Sequence, residues 1–262
     1  MPDIALPCSI GTPCWVDLTA KSQRESLDFY CGLLGWKGEP GPEELSGYAI
    51  CELDGKAVAG IGQALAGMGK SSVWTSYLAS TDAHATQEAI VAAGGAVLVP
   101  VVEAVGKLGR MLLASDPQGA VFGIWEPGEF SGVQAVNEAG ALTWIELRTN
   151  DVAAAAAFYG AAFDLLIEPV EGKDSYWDMW ANGRLCGGVT LLHNAPPGGS
   201  AHWLTYFAVD DVDSTVEGVV KGNGRVLAPP ADMMAGRVSV VTDPQGAMFA
   251  LIQSHKAAGS AG

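Results

Sequence analysis

Charge is scarce in this sequence, and positive charge most of all. Only 16% of its 262 residues are charged, and 14 Lys and Arg stand against 29 Asp and Glu, a formal net charge of −15. A surface of that sign repels phosphate backbones and anionic lipid, so neither nucleic acid nor a membrane surface is an expected partner. Long apolar runs are missing too: none approaches the roughly 20 residues that cross a bilayer as a helix. Met1 to Ile10 lacks the basic and apolar regions of a secretory leader, and the expected location is the cytoplasm. Cysteine is sparse, and Cys8, Cys14, Cys31, Cys51 and Cys186 are odd in number, scattered and without zinc-site spacing. That suits reduced thiols in a core better than a disulfide framework. Histidine is rarer still: His84, His193, His202 and His255 are spaced so that no His/His/Glu set forms.

What the sequence has in quantity is apolar residues, 49% of the chain, enough to bury one large core or two ordinary ones. It also has an internal repeat. An offset of 129 lays Gly11 on Gly140, Trp15 on Trp144, Leu18 on Leu147, Phe29-Tyr30 on Phe158-Tyr159, Trp74 on Trp203 and Tyr77 on Tyr206. Asp82 on Asp211, Gly95 on Gly224 and Pro100 on Pro229 follow. After a two-residue slip, Asp116-Pro117-Gln118-Gly119-Ala120 lies on Asp243-Pro244-Gln245-Gly246-Ala247. Solenoid repeats are far shorter, about 20 to 50 residues, so this is a duplicated domain. The expected division is a first domain over 1–127, a Pro/Gly/Ser-rich linker over 128–139 and a second domain over 140–262.

Within a copy, Cys14 to Leu18 alternates as a strand, and Ser22 with Glu25 forms a capping box for a helix that runs to Leu33 and stops at Gly35. A hairpin over 48–62 turns at Asp54-Gly55. A second strand at Trp74 to Ala79, a helix capped by Asp82 and ended by Gly94-Gly95, and three strands follow, the last two joined by Asp116-Pro117-Gln118-Gly119. Each copy is thus two β-α-β-β-type modules, and the chain has four.

Four such modules, a Phe-Tyr pair closing the first helix of each copy and Asp-Pro-Gln-Gly before each last strand resemble the vicinal-oxygen-chelate superfamily of glyoxalases, bleomycin-resistance proteins and extradiol dioxygenases. The resemblance covers roughly residues 10 to 255. It implies an α+β fold of four βαβββ modules forming two glyoxalase-like domains, each a curved sheet around a cleft. In metal-using members it implies His, Gln or Glu at the start of each module's first strand and on its last strand. Here those first-strand positions are Trp15, Thr75, Trp144 and Leu204, and the last-strand positions are Gly123 and Ala250. None supplies a carboxylate or imidazole, so neither a metal nor another cofactor is expected.

If Trp15 and Trp144 face their clefts, strand alternation turns Asp17 inward in the first copy and Glu146 and Arg148 in the second. The same parity turns in Thr75 with Tyr77, and Tyr206. A carboxyl flanked by Trp and Tyr is desolvated, which raises its pKa toward the range of a general acid or base. Asp17 has no cation on its own strand. Glu146 has Arg148 two positions along, an ion pair that suits a structural role. Asp17, Tyr77, Glu146 and Tyr206 are the candidate catalytic groups. Trp15, Thr75, Trp125, Trp144, Arg148, Trp177, Asp178 and His202 are the candidate substrate contacts. For the aromatic stretch Tyr176 to Trp180, parity leaves open whether Trp177 and Met179, or Tyr176, Asp178 and Trp180, face the cleft.

Three readings of function follow. The first is a metal-independent enzyme of secondary metabolism that moves protons on an aromatic or polyketide-like substrate during dehydration, cyclisation or isomerisation. The second is a binding protein that sequesters a flat drug or metabolite unchanged. The third is a metal-dependent glyoxalase or dioxygenase, which the missing ligands disfavour. The expected partner is a small aromatic molecule, and the expected state a monomer or homodimer.

Overall fold

Local signals decide where each element starts and stops. In the computed structural model, which describes residues 9–64, 72–104, 107–192 and 200–254, Ser22 accepts the Glu25 amide to open a helix at Gln23–Leu34, and Gly35 closes it in the left-handed region. Cys8, the Gly67 to Gly69 segment, His193 and His255 lie outside the described residues. The helix buries Gln23, Leu27, Tyr30 and Leu34, one face at helical spacing. Asp82, Asp151 and Asp211 cap the other helices in the same way.

The first copy comprises β1 (Pro13–Ala20), α1 (Gln23–Leu34), β2 (Ala49–Leu53), β3 (Lys56–Gln63), β4 (Val73–Ala79), α2 (Ala83–Ala92), β5 (Ala96–Glu103), β6 (Gly109–Ser115) and β7 (Val121–Pro127). The second comprises β8 (Leu142–Thr149), α3 (Val152–Phe163), β9 (Leu166–Pro169), β10 (Tyr176–Ala181), β11 (Arg184–Leu191), β12 (His202–Ala208), α4 (Val212–Lys221), β13 (Arg225–Met233), β14 (Gly236–Thr242) and β15 (Met248–Ser254). Three modules have the full βαβββ order. In the first, the strand after the helix is reduced to one bridge, Lys37 with Glu52.

Consecutive modules join within a copy. Their first strands pair antiparallel, β1 with β4 and β8 with β12, to give sheets ordered β2-β3-β1-β4-β7-β6-β5 and β13-β14-β15-β12-β8-β11-β10-β9. In register, Asp17 lies opposite Thr75 and Trp15 opposite Tyr77, while Leu204 lies opposite Glu146 and Tyr206 opposite Trp144. The chemistry-bearing residues therefore gather at the middle of each sheet.

The faces away from the clefts meet each other through a reciprocal set of contacts. Tyr30 on α1 donates to Asp243 in the second copy's Asp-Pro-Gln-Gly turn at 3.3 Å, and Tyr159 on α3 donates to Asp116 in the first copy's turn at 3.3 Å. Trp74 and Trp203 donate to those tyrosine oxygens, at 2.9 and 3.0 Å. Gln245 accepts the Ser22 amide and donates to the Ser22 carbonyl, and Gln118 does the same for Asp151. The Phe-Tyr pairs and the two turns are thus one device, by which each copy holds the first helix of the other. Among the described residues no helix is long and apolar enough to cross a membrane.

Candidate functional site

The first cleft is a cavity of about 220 Å³ over the middle of the first sheet, with Trp15 and Asp17 from β1, Ile50 from β2, Tyr77 from β4 and Trp125 from β7 in its walls. Two of its aromatic wall residues were not foreseen. Phe130, in the stretch expected to be a linker, packs edge-on against Trp15 at 4.9 Å between ring centres and against Trp125 at 6.1 Å. That stretch is fastened to the first sheet, with the Val133 amide donating to the Cys14 carbonyl and the Gln134 amide to that of Ala57. Tyr48, just before β2, is the other, and its hydroxyl accepts from the Trp15 indole at 2.9 Å.

Asp17 is the chemical centre of this cavity. Tyr77 and Tyr48 both donate to its Oδ2, at 3.0 and 3.3 Å, while Oδ1 engages no donor among the described residues. Burial raises the carboxyl pKa from 3.8 to about 6, and the two phenol hydrogen bonds hold it from rising further. Only a small part of Asp17 stays open to the cavity; the rest is enclosed by apolar and aromatic groups. The same burial, with Asp17 close by, pushes both phenols well above their ordinary range, so they remain donors at any physiological pH.

Glycines make this arrangement possible. A Cβ on Gly60 would fall 1.7 Å from the Tyr48 hydroxyl, and one on Gly123 would fall 2.1 Å from the Tyr77 ring. The rings therefore lie flat on the strands. Gly188 does the same for Tyr176, its Cβ position being 2.0 Å from that hydroxyl. The close backbone approach expected of a strand glycine is a tyrosine ring. Tyr48 was legible in this light, since it precedes Gly60 as Tyr176 precedes Gly188.

The second cleft, about 620 Å³, is built from the matching positions but wired differently. Glu146 is bonded to Arg148 at 3.0 Å. Burial opposes the guanidinium's charge, but Glu146 and Tyr206 more than offset it, so the Arg148 pKa lies above its usual range. Tyr206 lies close enough to Arg148 to feel its charge, whereas Tyr77 donates to the carboxylate of Asp17. Trp144 donates to Tyr176 at 3.1 Å, as Trp15 does to Tyr48. Asp178 and Tyr176 line the cavity, which resolves the parity of that strand.

Several expected contacts are corrected. Trp177, on the other face of β10, packs against the hydrophobic core. Thr75 is buried in the sheet beside Asp17 and is not in the cavity wall. Arg148 and His202 pair in register on the same face of the sheet as Glu146, next to the second cleft but outside its lining. The His202 ring is held neutral-prone by burial, with Nδ1 against the Ser200 carbonyl at 3.2 Å and Nε2 unpartnered among the described residues. Trp180, after a register shift in β10, lines a separate hollow with Leu166 and Asn182. Trp15, Asp17, Tyr77 and Trp125 come together in one cavity, and Trp144, Glu146, Asp178 and Tyr206 in the other.

The positions where the fold would seat a divalent cation hold Trp15, Thr75 and Gly123 in the first sheet and Trp144, Leu204 and Ala250 in the second. Gly123 pairs with Tyr77, whose ring takes the space a ligating side chain would need, and Ala250 pairs with Tyr206. Among the described residues no group of three His, Cys, Asp or Glu converges to hold a metal. This donor set does not fit such an ion.

Comparison with known proteins agrees with the fold. A family model described as Glyoxalase/Bleomycin resistance protein/Dioxygenase superfamily matches residues 141–251. The chain is 37% identical to CFP32 of Mycobacterium tuberculosis, which carries a glyoxylase name, over 93% of this chain and 95% of that protein. It is 33% identical to the anthracycline biosynthesis protein DnrV of Streptomyces peucetius, over 93% of each. The fold superposes on the Mn(II)-bound glyoxalase of Novosphingobium aromaticivorans with a TM-score of 0.63 at 15% identity, covering 93% of this chain and 82% of that one. Two relatives above 30% identity over nearly the whole chain, four βαβββ-type modules and two clefts on paired sheets place this protein: it belongs to the glyoxalase/bleomycin resistance protein/dioxygenase superfamily.

Proposed function

We propose that this protein is a metal-independent enzyme of secondary metabolism that moves a proton on an aromatic or polyketide-like substrate held in the first cleft. The observation that carries the reading is Asp17: a carboxyl with a pKa of about 6 in an aromatic-walled cavity, one oxygen fixed by two phenols and the other open to a ligand. A base of that strength is largely ionised at neutral pH, yet it sits close enough to neutrality to return the proton it takes. Trp15, Trp125 and Phe130 supply flat apolar walls. The names of two relatives, DauV and DnrV, place those proteins in anthracycline biosynthesis, which suits a polycyclic polyketide ligand here.

In the proposed step, Asp17 Oδ1 takes an acidic C–H or O–H proton from a carbon or oxygen conjugated to a carbonyl. The electron pair moves onto that carbonyl oxygen as an enolate or phenolate. Asp17 then delivers the proton to another atom of the same substrate, completing an isomerisation, or to a departing hydroxide, completing a dehydration. Tyr48 and Tyr77 keep the carboxyl aimed and stabilise its anion through Oδ2.

The test is exchange of the activated substrate hydrogen for solvent deuterium, followed by mass spectrometry on a panel of aromatic polyketide ketones. The wild type should label its substrate, and Asp17→Asn should not, while ligand affinity stays within about threefold because the side chain keeps its shape. A ligand that binds tightly and is recovered unlabelled and unchanged would establish the sequestering function instead.

A further inference from the structure

We propose that the second cleft is a ligand site in its own right, made for a flat aromatic molecule that carries a protonated amine, and not a second copy of the proton-transfer site. Duplication placed the same frame in both sheets, with Trp144 for Trp15, Glu146 for Asp17, Tyr176 for Tyr48 and Tyr206 for Tyr77. The wiring then diverged. Glu146 is bonded to Arg148 at 3.0 Å, so its carboxylate is held by a cation where that of Asp17 is held by two phenols. The space is also larger, about 620 against 220 Å³, so it holds a bigger ligand.

Three observations indicate the charge of that ligand. Once Glu146 is matched by Arg148, the charged lining that remains is Asp174 and Asp178 against Lys173, the one cation in the described cavity wall. Lys173 places its ammonium over the Tyr176 ring, 4.8 Å from the centroid, so this aromatic face already receives a cation. The net charge of −15 draws cations toward the protein and repels anions. The body of the ligand would lie between Trp144 and the tip of the β13–β14 hairpin, where Met233 and Met234 are 58% and 78% exposed and line the cavity mouth. Unbranched methionines fit themselves to ligands of varied outline. The ligand amine would displace Lys173 from Tyr176 and pair with Asp178. None of this depends on Asp17, so the site stands or falls apart from the proposed catalysis.

The experiment is a fluorescence titration of the full chain with three planar tricyclic probes at about pH 8, where amine and carboxylate probes are charged, in about 0.15 M salt, which screens distant surface charge. The cation 9-aminoacridine should bind roughly tenfold more tightly than uncharged acridine, and more tightly still than anthracene-9-carboxylate. Asp178→Asn should weaken 9-aminoacridine about fivefold or more. Lys173→Met should strengthen it, because it removes the competing ammonium. Asp17→Asn and the exposed Glu88→Gln should leave it unchanged. Weaker binding on Lys173→Met, or preference for the carboxylate probe, would overturn the assigned charge. Weakening by Asp17→Asn or Glu88→Gln to the same degree as by Asp178→Asn would overturn the assigned place.

Discussion

Replacing Asp17 with Asn should make the protein more stable even as it removes the proposed activity. In the folded chain the Asp17 carboxyl has a pKa of about 6, against 3.8 for an unburied aspartate, a difference of about 2.2. At 1.36 kcal/mol per unit, the ionised side chain opposes folding by up to about 3 kcal/mol once pH exceeds both values. The sign follows from proton binding: between pH 3.8 and about 6 the folded protein holds a proton that the unfolded chain has released, so stability falls as pH rises through that window. Asn carries no charge, and its Oδ1 can still accept from Tyr48 and Tyr77, so it removes the opposition without removing the hydrogen bonds. Residual opening of the site to solvent reduces the gain, so an advantage of about 2 to 3 kcal/mol at pH 8 is expected, shrinking to about half at pH 5. Urea denaturation of both proteins across that range, followed by tryptophan fluorescence, gives the difference directly. An Asn variant that is less stable than wild type at pH 8, or a difference that does not vary with pH, would show that Asp17 is not a desolvated carboxyl and would remove the basis of the proposed chemistry.

Three further outcomes are expected. Gly123→Ala would drive a Cβ to 2.1 Å from the Tyr77 ring, so it should lower stability by about 1 to 3 kcal/mol and, by moving the hydroxyl off Asp17, shift the pH at which any activity titrates; an unchanged pH profile with lowered stability would show that Tyr77 does not position Asp17. Arg148→Met leaves the buried Glu146 without its partner, and should destabilise the fold by about 3 to 5 kcal/mol at neutral pH, read as a lowered urea midpoint. Tyr30→Phe and Tyr159→Phe each cut one of the paired bonds between the copies; each should lower the urea midpoint by the equivalent of about 1 kcal/mol, with the two effects adding because the sites are separate.

Much of the architecture was legible because its causes are local or repeated. Aspartate and serine caps, the Asp54-Gly55 turn and left-handed Gly119 and Gly246 each act within a few residues, and the duplication checks one copy against the other. Strand alternation with the repeat also sufficed to bring Trp15, Asp17 and Tyr77 to one cleft and Trp144, Glu146 and Tyr206 to the other. The chain alone therefore determined four modules, two clefts and a carboxylate in each. Only the tertiary structure decided what surrounds those carboxylates, because that depends on groups distant in sequence: Tyr48 and Phe130 closing around Asp17, and Tyr176 but not Trp177 facing the second cavity, whereas the Glu146–Arg148 pair, two residues apart on one strand, was legible in the chain. The two Asp-Pro-Gln-Gly turns tell the same story, since as sequence they are tight turns, and only folding gives each of them the other copy's tyrosine. Desolvation and hydrogen bonding are set by everything that surrounds a group, and no linear pattern records that.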